Sequence, residues 1–275
     1  MMPTGGWRSS AIVVFALCLS SCGRNTVDSK RVANRAVLTD QQVASIENKK
    51  IFFGHQSVGT NIIQGLRDLM ARDARLKLKI VSSADPELVP GPALVESLIG
   101  QNGNPRSKDE AFAAILDKGL GRQGGIAMYK YCYVDIDSST NVQQMFENYG
   151  EGIAALRVKY PALKIVHITV PLTTVEPAAR AWVKTLLGRA TERDANAKRN
   201  EFNRRLRQTY AGRDPIFDLA EGESTSPEGA RSYFIRDNEK VYTLASEYTT
   251  DGGHLNEAGR LALAERLLLL LASIR

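Results

Sequence analysis

The stretch Lys50-Ile51-Phe52-Phe53-Gly54-His55-Gln56-Ser57-Val58-Gly59 decides the fold. Lys50–Phe53 is a short apolar, aromatic run of strand type. Val58, Ile62, Leu66 and Leu69 then recur at helical spacing. A strand therefore gives way to a helix within four residues. Working outward, the same alternation continues to the C-terminus. Leu76–Val81 alternates and predicts a second strand, and Asp85–Lys108 reads as a Pro- and Gly-rich loop before a helix over Glu110–Leu116. A third strand is expected over Gly125–Val134 and a helix over Val142–Tyr160, stopped by Pro161. A fourth strand follows over Leu163–Val170, stopped by Pro171. Ala195–Tyr210 carries Phe202, Leu206 and Tyr210 on one helical face. Pro215–Leu219 is a short fifth strand, and Glu257–Ile274 is a closing helix. Strands alternating with helices on this scale predict an α/β fold with a central parallel sheet of about five strands and helices on both faces. The five leucines Leu267–Leu271 follow Glu265 and Arg266, so a buried helix face is expected rather than a membrane span.

The chain has 275 residues with 36 Lys+Arg against 30 Asp+Glu, a formal net charge of +6, and 43% hydrophobic residues. That balance excludes a disordered or fibrous chain and lacks the concentrated basic excess of a dedicated nucleic-acid binder. Residues 1–21 read as a signal peptide. Arg8 is the only charge before Arg24, Ala11–Leu19 is an apolar core too short to span a bilayer, and Leu19-Ser20-Ser21-Cys22 has the form of a bacterial lipobox. Lipidation of Cys22 is the expectation, with residues 22–37 as a polar tether and 38–275 as a single domain. Cys18 leaves with the signal, so Cys132 is left alone and is expected to be buried. An envelope lipoprotein follows, membrane-anchored through Cys22 and facing the periplasm, with no nucleic-acid partner. Gly23 after Cys22 favours the outer membrane over the inner.

Two loops carry the candidate chemistry. In open parallel sheets ligands bind outside the carboxyl ends of the strands. Ser57 sits where the first strand turns into a helix, with its hydroxyl exposed and the free N–H groups of the helix start beside it. Serine at that position is also a common helix cap, and its hydroxyl needs a base to become a nucleophile. His254 is one of only three histidines, with His55 and His167. It lies in Thr250-Asp251-Gly252-Gly253-His254-Leu255-Asn256 just before the closing helix. A tight turn there brings the Asp251 carboxylate to the imidazole, fixes its tautomer and leaves the other nitrogen free as a base. The same composition also suits a solvated turn. His167, inside an apolar strand, reads as a packed core histidine.

Ser57 and Asp251-x-x-His254 resemble the end blocks of the SGNH/GDSL hydrolase superfamily in identity, order and placement. The Asn-bearing helix Lys198–Leu206 is a softer match. The resemblance spans Lys49 to Ile274. It implies a flavodoxin-like three-layer sandwich and a Ser57–His254–Asp251 triad acting on an acyl ester without metal or organic cofactor. Two departures stand out. The first block reads Gly54-His55-Gln56-Ser57 where the family has Gly-Asp-Ser. The third reads Lys130-Tyr131-Cys132-Tyr133-Val134-Asp135 where the family has Gly-x-Asn-Asp, so the oxyanion-binding Asn is missing and the Asp135 charge opposes a developing anion. His55, Gln56, Asn61, Gly91, Gly100 and Asn102 are the candidates to bind substrate or the oxyanion, and His55 suits local packing equally well. No His-x-x-x-His or Cys-x-x-Cys spacing suggests a metal site.

Between Arg180 and Arg213 lie ten Lys/Arg and three acids, Glu192, Asp194 and Glu201. That stretch is either a surface for an anionic glycan or lipid headgroup, or a solvated helix face. Pro177–Gly188, with Trp182, Leu186 and Leu187, reads as a lid or an extra packed helix. The functional expectation is an ester hydrolase acting on an envelope glycan. A non-catalytic glycan binder and an O-acyltransferase on the same fold are the alternatives.

Overall fold

The computed structural model describes Met1, residues 38–176 and residues 191–275. The signal segment, Cys22, the tether and the 177–188 segment lie outside the described residues. Ala36–Arg275 form one compact unit.

The chain runs α1 (Asp40–Glu47), β1 (Lys50–His55), α2 (Val58–Arg72), β2 (Ile80–Ser82), β3 (Ala93–Leu98) and α3 (Pro105–Ile115). It continues with β4 (Gly125–Tyr129), α4 (Val142–Lys159), β5 (Leu163–Ile168), α5 (Glu192–Tyr210), β6 (Ile216–Phe217) and α6 (Leu219–Ser224). A hairpin, β7 (Tyr233–Arg236) and β8 (Glu239–Tyr242), precedes α7 (Glu257–Ser273). The main sheet has six strands in the order β2-β3-β1-β4-β5-β6, and every pairing is parallel. The strand order reverses at β1, so the loop after β1 opens onto the crevice where parallel sheets bind ligands.

Successive side chains on β1 feed two cores. Ile51 and Phe53 pack with Val58, Ile62 and Leu66 of α2 and Leu263, Leu267 and Leu271 of α7. Phe52 packs on the other face with Phe112, Tyr129, Tyr149 and Phe202. The result is the expected three-layer α/β sandwich. The closing leucine run sits inside it, with Leu267, Leu268 and Leu271 fully buried. Two contacts fix α7 on α2. Gly65 lets the backbones approach so closely that a Cβ there would lie 2.2 Å from the Arg260 carbonyl. Arg260 Nε also bonds Asp68 at 2.6 Å. Because α2 begins at Ser57 and α7 begins just after His254, this seam carries the two loops to one rim.

The sheet departs from expectation at three places. The second strand is confined to Ile80–Ser82; Leu76 and Leu78 are buried outside any ladder. The segment 85–108 is not all loop: Ala93–Leu98 is β3, paired along its whole length with β1. Its signal was masked by Pro90-Gly91-Pro92 before it and by Glu96 within it, which in the structure faces the His55 imidazole at 3.1 Å. The third strand ends at Tyr129, and Lys130–Asp135 turn away from the ladder at its carboxyl end.

The Asn-bearing helix α5 binds the neighbouring chain in an unusual way. Asn203 Oδ1 accepts from the Val170 N–H at 2.7 Å while its Nδ2 donates to the Val170 carbonyl at 2.9 Å. Asn196 treats Thr173 the same way, at 3.1 and 2.8 Å, and Asn200 treats Tyr242 the same way, at 3.0 and 2.9 Å. Each amide side chain thus satisfies both polar groups of one residue, as a neighbouring strand would.

Candidate active site

The loop after β1 is built by strain. Ser57 has φ 53° and ψ −112°, a region that non-glycine residues avoid and that persists only where the surroundings impose it. Gly59 permits the sharp turn, since a Cβ there would lie 2.3 Å from the His55 Cβ. Ser57 stands at the start of α2 but makes no capping bond to it. Its Oγ lies 2.7 Å from His254 Nε2 instead. The cap explanation for this serine is therefore excluded by geometry.

The imidazole is held from the other side. His254 Nδ1 lies 2.7 Å from Asp251 Oδ2, while Asp251 Oδ1 accepts from the N–H groups of Gly253 at 2.9 Å and His254 at 2.8 Å. The backbone N–H of His254 is the largest influence on Asp251. With the Gly253 N–H and the imidazole it holds the carboxyl well below the usual carboxylate range. An ionised Asp251 keeps the Nδ1 proton, so Nε2 faces Ser57 as an acceptor. Gly252 takes φ 89°, which the turn between the two requires. The His254 side chain is 44% exposed and that of Asp251 55%, so the rim is open to solvent.

The remaining candidates divide by what they touch. Asn61, one helical turn after Ser57, accepts from the Leu255 N–H at 3.1 Å and ties the His254 loop to α2. Gln56 is not free to bind an oxyanion through its amide: Nε2 donates to the Gly100 carbonyl at 2.7 Å and the Ile99 carbonyl at 3.3 Å. Gln56 thus pins the loop after β3 against the loop after β1. Gly100, at φ 60°, is needed there because a Cβ would strike the Lys108 backbone. Asn102 is exposed, and its Oδ1 lies 3.4 Å from Lys108 Nζ. Gly91 precedes β3, at the opposite end of the strands from Ser57, and is thereby removed from the candidates. His55 is buried, and burial pushes its imidazole down to about 3, helped by the Lys130 and Arg67 charges. It is neutral and packed against Phe53 and Glu96, a structural role. His167 is buried too, stacked on Tyr210 with centroids 3.7 Å apart.

Asp135 does not face the site as a bare anion. Its carboxylate is buried against the equally buried Lys108 Nζ at 2.6 and 2.8 Å. It also accepts from the N–H groups of Cys132 at 2.6 Å and Gly103 at 2.7 Å. This corrects the expectation that its charge opposes an oxyanion. Cys132 is buried and unpaired, with Lys130 Nζ 3.3 Å from its sulfur. Below lies Glu223, wholly buried, which accepts from the Leu172 N–H; burial pushes its carboxyl up to about 8.

One residue at the site was missed. The Tyr133 ring meets that of His254 edge-on, with centroids 5.9 Å apart, and its hydroxyl lies against Gly253. Its sequence signal is its place in the third block, between Cys132 and Asp135. The basic stretch, where described, is largely absorbed by partners. Arg199 is buried against Thr173 and Asn196, Arg207 pairs with Asp218 at 2.6 Å, and Arg205 with Glu201 at 3.1 Å. Arg180, Lys184 and Arg189 lie outside the described residues. Among the described residues no group of three His, Cys, Asp or Glu is placed to hold a metal ion.

No family model matches the chain, and no curated protein matches it either. Solved structures similar to it include a GDSL-like lipase from Bacteroides thetaiotaomicron, 14% identical, covering 80% of this chain and 86% of that one at a TM-score of 0.48. A lipase/acylhydrolase from Enterococcus faecalis is 11% identical over 81% of this chain and 94% of that one, at a TM-score of 0.45. A protein from Streptococcus pneumonia, provisionally described as a platelet activating factor, is 17% identical over 84% and 91%, at 0.48. The chain is a parallel α/β sandwich with a serine on the turn after its first strand and an Asp-x-x-His loop before its last helix.

Proposed function

We propose that the chain is a serine ester hydrolase. The observation that carries the reading is the continuous relay from Ser57 Oγ through the His254 ring to Asp251, with both links at 2.7 Å. Ser57 Oγ attacks the acyl carbonyl carbon as its proton passes to His254 Nε2. The tetrahedral intermediate collapses when the bond to the alkoxy oxygen breaks and that oxygen takes the proton from His254. Water then attacks the acyl-enzyme with His254 as base, releasing the carboxylic acid and restoring Ser57. Asp251 keeps the ring oriented and stabilises the imidazolium in both steps.

The open rim and the lipobox reading together support an acyl ester on an envelope glycan as substrate. In that reading residues 1–21 are removed, Cys22 carries the lipid, and the domain works in the periplasm at the outer membrane. The glycan-binding alternative rests on the missing Asn.

Turnover of p-nitrophenyl acetate by the purified chain tests the reading. Ser57→Ala is expected to lower the rate at least about 10²-fold, and a fluorophosphonate is expected to label Ser57. A chain that neither turns over the ester nor takes the label is not a serine hydrolase. Product analysis with an acceptor sugar present separates transfer of the acyl group from hydrolysis. Metabolic labelling with a radioactive fatty acid, lost on Cys22→Ala, tests the anchor.

A further inference from the structure

The two ends of the sheet are built differently. Ser57, Asp251 and His254 stand at the carboxyl ends of the strands, whereas at the amino ends nearly every strand is entered past a cation. Lys77 and Lys79 precede β2, Lys50 opens β1, Arg122 precedes β4, Lys164 is the second residue of β5 and Arg213 precedes β6. Strand β3 is entered through Pro90-Gly91-Pro92, and there the Lys50 and Lys79 ammonium groups converge on the Val89 and Pro90 carbonyls. Neighbouring strands are about 4.8 Å apart, so these six cations span a base roughly 24 Å wide.

The acids beside them are mostly neutralised by other bases. Asp73 pairs with Arg75 at 2.6 Å, Asp117 with Lys159 at 2.7 Å, Asp214 with Arg157 at 2.5 Å, and Asp85 with Lys118. Glu47, which accepts from the Lys77 N–H, and Glu87 are left outside any ion pair among the described residues. Lys77, Lys79, Arg122, Lys164 and Arg213 are exposed and Lys50 is half-buried. None of the six lies within ion-pair distance of a described acid. The base therefore carries an excess of positive charge that the protein itself does not compensate.

Apolar side chains protrude from the same end. Leu88, in the turn before β3, is 75% exposed, and Val158, at the end of α4, is 86% exposed. No other large apolar side chain described in the compact unit is as exposed as these two. Beside Lys164 and Arg213 opens a cavity of about 650 Å³, walled also by Tyr160 and Ile274. Unpaired cations, protruding aliphatic groups and a partly apolar cleft together match the boundary of a bilayer, where phosphate headgroups meet acyl chains.

We infer that the base of the sheet docks on an anionic lipid surface, its cations binding headgroup phosphates. Leu38 lies at the same end: its carbonyl accepts from Arg75 Nη1 at 3.2 Å, and Arg75 sits between the end of α2 and the start of β2. A tether upstream of Leu38 thus draws the base, not the rim, to the membrane. Strand β1 has six residues and a length of about 20 Å. Docking by the base holds Ser57 that far from the headgroups, facing away from them. The inference goes beyond the hydrolase reading and stands without it.

The test is sedimentation of the full chain, carrying Cys22→Ala so that no lipid is attached, with two kinds of vesicle. One is phosphatidylcholine alone and the other contains phosphatidylglycerol as its minor component. Binding is expected to be stronger on the phosphatidylglycerol vesicles and to weaken as salt rises. Lys164→Glu with Arg213→Glu should lower that binding at least about tenfold. Lys198→Glu with Lys240→Glu, the same change of net charge placed away from the base, should leave it within about twofold. Thermal melts of each variant check folding. Lys77→Glu with Lys79→Glu, at the other side of the base, gives a second reading with the same expected loss. Equal binding to the two vesicle types overturns the proposal, as does an equal fall for base and control pairs. Base-dependent binding to soluble polygalacturonate, with none to either vesicle, would assign the face to an acidic glycan and overturn it too. Ester turnover enters none of these readings, so the hydrolase reading can fail without it.

Discussion

The rim of the sheet and the layer beneath it handle charge in opposite ways. At the rim, Asp251 and His254 are about half exposed and are fixed by a short turn whose own N–H groups bind the carboxylate. Beneath it, Lys108 and Asp135 are fully enclosed, Lys130 and Glu223 are buried, and Arg199 is nearly so. Exposed charges interact weakly because water screens them, whereas buried ones are costly to leave unpaired. The rim can therefore be altered with little effect on folding, while the layer below cannot. In the proposed hydrolase, chemistry and stability occupy different strata of one small region.

The largest effect that would break this comparison is at the rim. Asp251→Asn is expected to lower kcat about 10⁴-fold, through loss of the correct imidazole tautomer, while the unfolding midpoint stays put. Steady-state kinetics and thermal melts of the same preparation check both halves. A melt shifted as strongly as the rate would place the rim among the stabilising elements. Next is Lys108→Met, which strands the Asp135 carboxylate without its counter-charge. Urea unfolding should show a loss of about 3–5 kcal/mol; a loss below about 1 kcal/mol would mean that the pair is solvated. Asn61→Ala sharpens the boundary, because Asn61 links rim to scaffold by one hydrogen bond. Its expected cost is about fivefold in kcat, equivalent to roughly 1 kcal/mol, and stopped-flow acylation rates measure it.

The last effect concerns pH. The folded state raises the Glu223 carboxyl from 4.5 to about 8, so the folded protein holds a proton that the unfolded chain releases. Its contribution to stability is complete below about pH 4.5 and is lost as pH rises toward 8, at up to about 1.4 kcal/mol per pH unit. Glu223→Gln keeps an acceptor for the Leu172 N–H and cannot titrate. Urea midpoints for the two proteins should diverge between pH 5 and 8 in favour of the variant, and parallel curves would show that Glu223 is ionised throughout.

Much of this was legible in the sequence. The change from strand to helix across Ser57 and the apolar face of α7 are local patterns, and both stand in the structure. Ser57, Asp251 and His254 were legible because a sharp turn and a four-residue loop each determine their own geometry. Strand β3 was not, because Pro90-Gly91-Pro92 and Glu96 break its apolar run, and its identity depends on pairing with β1. The β7–β8 hairpin turns on Asp237 and Asn238, both at positive φ, a signal overlooked among polar neighbours. Lys108 with Asp135 and Tyr133 with His254 meet only after folding, and nothing in the local spacing announces either pair.

The three asparagines of α5 have a mechanical consequence. They fall at positions 196, 200 and 203, one face of the helix, and each grips a different backbone residue at two points. Sliding the helix along its axis, or rolling it by one residue, would release all six bonds together. The helix behaves like a key with three teeth: it has one seating, and the chain ends it clasps at Val170, Thr173 and Tyr242 are thereby denied to any stray strand from another molecule.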